Sequence, residues 1–444
     1  MKFNSQMIWG MLNQGCNIAI PFLILFISYK YLPIEIASIW VIFLSMTSLV
    51  ILFDFGLSPS IVRNISYVIS GAQNLVKIGI DNIIVKDVIS YPLLARLLFD
   101  IRKMYLYLSI LAFIIIAIAG GGYFYFISPL DIRLSILYSW GVFSGALIIN
   151  LFYLYYTPVL TGFGEIQSCY KANILGKLAW LGLSILDLIL YPSILLLSLC
   201  FAFSVLCNRL VCDFFYKNNF YIKSLKEIDI DKTSTIPFIG YNAAKLGVVS
   251  LGAFLINRST TLIAGIVCPI VVAGQFVLTM QVFFALMSIG NILLTIKMPQ
   301  ISQMVAMKYH YKLKKLIYKV IFFSSSCYFL GWGGGIFLAE FVFPALGVNI
   351  SFLPMNYIII LGVIYFLEMN HSICATIITS KNSVPFVLAS LFSGGMIILL
   401  SIILSVYFSY GVIGLILAQG IVQLVYNNWR WPLMVYNDFI RDIK

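Results

Sequence analysis

The sequence predicts an all-α polytopic membrane protein of about twelve transmembrane helices, arranged as two pseudo-symmetric six-helix bundles with both termini in the cytoplasm. Three observations carry this reading. Hydrophobic residues make up 61% of the 444 positions and charged ones 10%, too apolar a balance to coat a soluble surface. Apolar runs of the roughly 20 residues that a helix needs to cross hydrocarbon recur along the chain. The Lys and Arg residues fall on alternate connections between those runs, as the positive-inside bias requires.

The runs lie at 7–29, 36–60, 104–127, 134–160, 171–190 and 194–215, and then at 237–266, 270–296, 317–342, 354–379, 385–408 and 412–432. The first carries one lysine before a long apolar stretch and has no small-residue cleavage site, so it reads as a retained helix rather than a signal peptide. With the N-terminus inside, only Lys30 and Arg133 of the 28 basic residues fall in outer loops, and Lys177, Arg209, Lys245 and Arg258 fall within spans. The inner connections take the rest, from Lys2 and Arg63 through Lys226, Lys232 and Lys308 to Lys444. The net charge of +12 is thus a topology signal. Without a recognition module it does not point to nucleic acid, and the inner loops suit anionic lipid headgroups instead.

The chain divides at "YKNNFYIKSLKEIDIDKTST", a polar stretch that reads as a cytoplasmic linker over 216–235 between an N-terminal half, 1–215, and a C-terminal half, 236–444. The halves echo one another. "LPIEIASIWVIFL" from Leu32 lies over "CPIVVAGQFVLTM" from Cys268, pairing Pro33 with Pro269, Ala37 with Ala273 and Val41 with Val277. With a four-residue insertion Pro59 falls on Pro299. Duplicated halves around a shared site are a common plan of secondary transporters.

The stretches "FDFGLSPSIVRNISYVISG", "INRSTTLIAG" and "PIVVAGQFVL" resemble the polysaccharide-transporter branch of the multidrug/oligosaccharidyl-lipid/polysaccharide (MOP) exporter superfamily, and within it O-antigen flippases of the Wzx type. The resemblance spans essentially the whole chain. It implies transfer of an undecaprenyl-pyrophosphate-linked oligosaccharide, for lipopolysaccharide biosynthesis, from the cytoplasmic to the outer leaflet of a bacterial inner membrane. It also implies association with polysaccharide polymerase and chain-length machinery. A capsular or other surface glycan, or a drug carried by a cation-coupled multidrug antiporter of the same superfamily, are the alternatives. Lipid II flippases are related but typically have fourteen spans and charges in the first, which is uncharged here.

Physics agrees with such a substrate, because a pyrophosphate and many hydroxyls cannot cross hydrocarbon unaided. Ionisable residues inside a membrane cost about 2.5 to 3.5 kcal/mol at the centre, so each is a functional candidate. Lys245 and Arg258, both in span seven, have the sign to receive pyrophosphate, and arginine grips phosphate through its fork. They lie 13 residues apart, about 20 Å along a straight helix and roughly 140° around it. They therefore read as successive stations on a path, unless the helix bends at Gly247 or Gly252. Lys177 in span five is a third cation. Asn13, Gln14 and Asn17 form a polar stripe on span one that faces either a cavity or a neighbouring helix, with the cavity favoured.

Glu368 and His371, three apart in span ten, form a possible proton-sharing pair. Asp187, in span five, and Asp54, at the inner end of span two, complete the ion-coupling candidates for H+ or Na+. In "FDFGLSPSIVRN" the Gly56 and Pro59 pair ends or kinks span two, leaving Asp54 at a solvated helix end and Arg63 in the headgroups. Arg209 and Asp213 are expected to form a local ion pair, and Glu340 to sit at an outer edge. No cofactor or metal is expected, since the eight cysteines lack zinc spacing and two histidines are too few. An enzyme is disfavoured: there is no GxxxxGK[ST] loop, and no large outer loop such as glycan polymerases carry.

Overall fold

The computed structural model describes residues 5–77, 84, 86–225, 233–307, 309–342, 345, 352–381 and 385–441. The expectations for Lys2, Lys226, Lys232, Lys308 and Lys444, for the side chains of Pro299 and Glu340, and for most of the 343–353 connection lie outside these residues.

Twelve helices among the described residues are long and apolar enough to cross a membrane. They are α1 (Ile8–Tyr31), α2 (Ile34–Asp54), α3 (Tyr91–Ile127), α4 (Arg133–Gly162), α5 (Ile166–Leu190), α6 (Ile194–Asn218), α7 (Ile236–Val267), α8 (Ile270–Met298), α9 (His310–Phe337), α10 (Met355–Lys381), α11 (Val387–Tyr407) and α12 (Val412–Ile440). Each matches one apolar run of the sequence. Large apolar side chains point outward along them, Phe99, Leu106, Ile110 and Phe113 of α3 among them, the surface lipid requires.

Boundaries move where charge misleads hydropathy. The third helix begins at Tyr91, well before the apolar run at 104, because its first turns hold Arg96, Asp100, Arg102 and Lys103. Asp100 is fully buried: its Oδ2 accepts from the Arg96 Nε at 3.1 Å and, at 2.6 Å, from the Thr235 backbone N–H ahead of α7. The Thr235 hydroxyl donates to the same oxygen at 3.0 Å. One carboxylate thus supplies acceptors to donors that the start of α7 leaves without intrahelical partners.

Contacts group the chain into two compact units, Met1–Leu251 and Gly252–Lys444, whose division falls inside α7. In the first unit Phe43, Phe124, Trp140, Phe143 and Phe201 stack into an aromatic core, with Phe143 and Phe201 centroids 4.5 Å apart. In the second, Phe283 stacks on Tyr365 at 5.6 Å, and the Tyr328 hydroxyl donates to the Gly362 carbonyl at 2.9 Å.

The echo between halves has a structural counterpart. Pro33 precedes α2 with φ −54° and ψ 145°, and Pro269 precedes α8 with φ −52° and ψ 143°. Each proline carbonyl accepts from the alanine four residues on, Ala37 or Ala273, at 2.9 Å. Those alanines and the paired valines Val41 and Val277 are buried. Proline fixes φ and needs no partner for an N–H, so it starts both helices in the same way.

Span two breaks at Phe55 and Gly56, both left-handed at φ 49° and 71°, and resumes as a helix over Leu57–Ile69. Pro59 lies in the first turn of that helix, and Arg63 on it rather than beyond the chain's helical end. The Phe55 ring fills the space over Gly247, where a Cβ would come within 2.3 Å of it, and a Cβ on Gly56 would meet the Leu246 Cβ at 2.4 Å. Ser60 donates to the Ile239 carbonyl at 3.0 Å. Together these contacts fasten the first half of α7 to the broken span.

The Gly56→Ala protein is expected to lose about 2 kcal/mol or more, from the positive φ and the clash together, read as a lowered unfolding temperature of the detergent-solubilised protein. An unchanged temperature would show that the interlock is dispensable.

Candidate functional site

The polar stripe of α1 divides in the structure. Asn13 and Asn17 accept from a single amide, Asn173 Nδ2 on α5, at 2.7 and 2.9 Å, while Gln14 is exposed. The stripe therefore serves helix association for two of its members, against the cavity reading favoured from the sequence. Apolar neighbours give no driving force between helices in lipid, and interhelical amide bonds supply one. Asn173 was missed because nothing in its local sequence marks it; its role depends on which turn of α5 faces α1.

Lys177, one turn beyond Asn173, is partly buried with its Nζ 4.8 Å from the Trp180 ring centroid. On α7, Lys245 is exposed and lies 4.5 Å over Tyr241, and the Arg258 guanidinium lies 4.3 Å over Phe284. Among the described residues none of these three cations has a carboxylate partner. Each sits on an aromatic face, which offers electrostatic attraction without neutralising the charge. The helix between Lys245 and Arg258 is unbroken. Gly247 and Gly252 are points of close packing there, against Phe55 and Ser390 respectively. Lys245 belongs to the first unit and Arg258 to the second.

The acids are partnered differently from the sequence expectation. Asp54 is buried, not at a solvated helix end. It accepts from the Ser58 N–H at 3.2 Å and the Ser58 hydroxyl at 2.9 Å, and from the hydroxyl of Tyr105. The left-handed break places Asp54 to cap the following helix. Glu368 and His371 form no pair with each other: Glu368 Oε2 accepts from Gln419 Nε2 at 2.9 Å, and His371 Nδ1 lies 2.8 Å from Asn428 Oδ1. Both partners come from α12, which faces α10 along a polar seam extended by Gln423, Asn427 and Ser393. Asp187 is buried, and neither carboxylate oxygen makes a well-formed hydrogen bond, although the Ser193 backbone amide lies nearby.

Arg209 and Asp213 also separate. Asp213 takes Lys217 at 2.6 Å and the Tyr156 hydroxyl at 2.8 Å. Arg209 instead donates Nε to Asn150 Oδ1 at 2.9 Å and Nη1 to Thr157 at 3.3 Å. Four-residue spacing allowed Asp213 either cation; the acceptors that α4 brings to Arg209 decide between them.

No protein-family profile and no curated protein matches the chain. Among solved structures, the inward-facing conformation of a multidrug resistance MATE family transporter of the MOP superfamily superposes with a TM-score of 0.71 at 12% identity, covering 99% of this chain and 96% of that one. The fold is that of MOP transporters. Lipid II flippase MurJ, in an inward closed conformation, shares the MOP fold at TM-score 0.66 and 12% identity, over 98% of this chain and 87% of its own. The MATE multidrug transporter DinF-BH does so at 0.65 and 14%, over 99% and 95%. These neighbours are transporters and flippases, not enzymes. In this MOP fold the candidate cations lie on α5 and α7, and the candidate acids on α2, α5 and α10.

Because the Asp187 carboxylate is buried without good partners, Asp187→Asn is expected to stabilise the folded protein by about 1 to 3 kcal/mol, visible as a raised unfolding temperature. A lowered temperature would mean that the charge is compensated.

Proposed function

We propose that the chain is a flippase that moves an undecaprenyl-pyrophosphate-linked oligosaccharide, an O-antigen repeat unit, from the cytoplasmic to the periplasmic leaflet of a bacterial inner membrane. The observation that carries this reading is the set of three span cations, Lys177, Lys245 and Arg258, lacking carboxylate partners among the described residues of a MOP-type fold. A cation inside a membrane without a counter-charge is costly, and an anionic substrate supplies what the protein omits. Pyrophosphate is such an anion, and the fork of Arg258 matches its oxygens. Lipid II flippase MurJ shows that the fold serves a lipid-linked cargo in another chain.

Movement proceeds by alternating access, with Lys245 and Arg258 receiving the pyrophosphate in turn and Lys177 adding positive potential. The exposed Gln14 stands on the same α1 and α5 pair as Lys177 and offers its amide to sugar hydroxyls, while Asn13 and Asn17 hold that pair together through Asn173. The coupling ion is H+ or Na+, carried at Glu368, Asp187 or Asp54, with His371 holding its place beside Asn428. One charge crossing 100 mV yields about 2.3 kcal/mol, enough to bias direction. The glycan is then handed to polysaccharide polymerase and chain-length machinery. A second reading, a cation-coupled multidrug antiporter, draws on the buried acids Glu368 and Asp187, neither of which has a basic partner among the described residues.

Translocation of labelled undecaprenyl-pyrophosphate oligosaccharide in proteoliposomes, read by its accessibility to an added sugar-modifying enzyme, separates these readings when paired with cationic dye efflux. Sugar movement without dye efflux is expected, and dye efflux alone would overturn the flippase. Arg258→Ala should reduce sugar movement at least tenfold while leaving insertion intact; full movement would remove Arg258 from the path. Glu368→Gln should abolish the dependence on an imposed pH gradient, and a persisting dependence would move coupling elsewhere.

A further inference from the structure

The first unit contains a cavity of about 620 Å³ that none of the transport residues above lines, a volume usual for small-ligand sites. It lies where α3 begins, where α4 turns through Tyr153–Tyr155, and where α6 ends. Its charged lining is Arg102, Arg209, Asp213 and Lys217. The acid is already occupied by Lys217 and Tyr156, so two guanidinium charges are left over.

Arg209 carries the argument. It is 7% exposed, and its bonds go to the neutral acceptors Asn150 and Thr157, which use three of its five N–H donors. A buried guanidinium without a carboxylate is unfavourable unless an anion joins it. Arg102, on the lining of the same cavity, is exposed and has no ion pair among the described residues. The hydroxyl-bearing rings of Tyr155, Tyr156 and Tyr216 pack together on the same wall, the last two with centroids 5.0 Å apart.

The remaining lining says what kind of anion fits. Phe99, Leu206 and Leu210 line the cavity and are 51%, 43% and 67% exposed. A small soluble anion has no use for that apolar flank, whereas an acyl chain does. We propose that this cavity binds the phosphate headgroup of an anionic membrane lipid, with Arg102 and Arg209 on the phosphate and the lipid's chains along Phe99, Leu206 and Leu210. None of the residues proposed for transport lines the site, and it does not depend on which cargo the protein carries. Bulk phosphatidylglycerol and a polyprenyl phosphate share this chemistry, and the experiment distinguishes them.

Full-length protein, delipidated in neutral detergent, is titrated with phosphatidylglycerol or with phosphatidylcholine of the same acyl chains, and bound lipid is counted by native mass spectrometry. Phosphatidylglycerol should bind about tenfold more tightly, and Arg102→Gln should weaken it about fivefold. Arg430→Gln, an exposed change in the second unit, should leave it unaltered. Equal binding of the two lipids, or a preference left undiminished by Arg102→Gln, would overturn the proposal. In competition, undecaprenyl phosphate displacing phosphatidylglycerol from wild-type protein but not from Arg102→Gln would assign the site to the carrier lipid. Failure to displace it would assign the site to bulk lipid. Since no transport is measured, loss of the flippase reading would not alter either result.

Discussion

Hydrocarbon offers no partner to a backbone N–H or C=O, and everything in this protein is subordinate to that fact. It forces the chain into helices and sets their length. It also decides what may interrupt them. The break at Phe55 and Gly56 frees backbone groups at the end of a span, and the protein answers with a carboxylate: Asp54 takes the Ser58 N–H of the helix that restarts. At the entrance to α7, Asp100 does the same for Thr235. Acids that look like isolated charges in the sequence thus serve as acceptors for amides at helix starts.

The same medium removes the hydrophobic effect as a reason for helices to associate. Contact must come from close packing or from hydrogen bonds, and the two units show both. Between α1 and α5 a ladder of polar contacts runs from Ser5 and Gln167 at 2.7 Å to the clasp of Asn173. Between α7 and α11, Gly252 lies against Ser390, and Gly394 against Leu255, where any side chain on the glycines would hold the helices apart. Positive charges escape both schemes. Lys177, Lys245 and Arg258 rest on aromatic rings, which is why they stand out as functional groups.

The number and order of spans were legible in the sequence because length and hydropathy are local properties that lipid reads directly. The duplicated proline starts were legible for a similar reason: Pro33 and Pro269 impose their φ without help from neighbours. Partner choice was not legible. Spacing put Glu368 beside His371 and Arg209 beside Asp213, yet Gln419, Asn428, Asn150 and Thr157 claim those groups from helices more than 40 residues away. Likewise a run of charges before residue 104 reads as loop on a hydropathy scale, although Asp100 is buried within a helix and its Oδ2 accepts from Thr235. A one-dimensional pattern records what each residue costs in lipid but not who repays it.

One more consequence concerns α7. Its first half is fastened to the broken second span through Phe55, Gly56 and Ser60, and to α3 through Asp100; its second half is fastened to α11 through Gly252 and Leu255. Yet it is a single uninterrupted helix of 32 residues. A helix cannot be interrupted at one point without exposing amides to hydrocarbon, so the boundary between the units is crossed without a loop. The division between the two units therefore falls within a continuous helix, rather than in the polar stretch that precedes it.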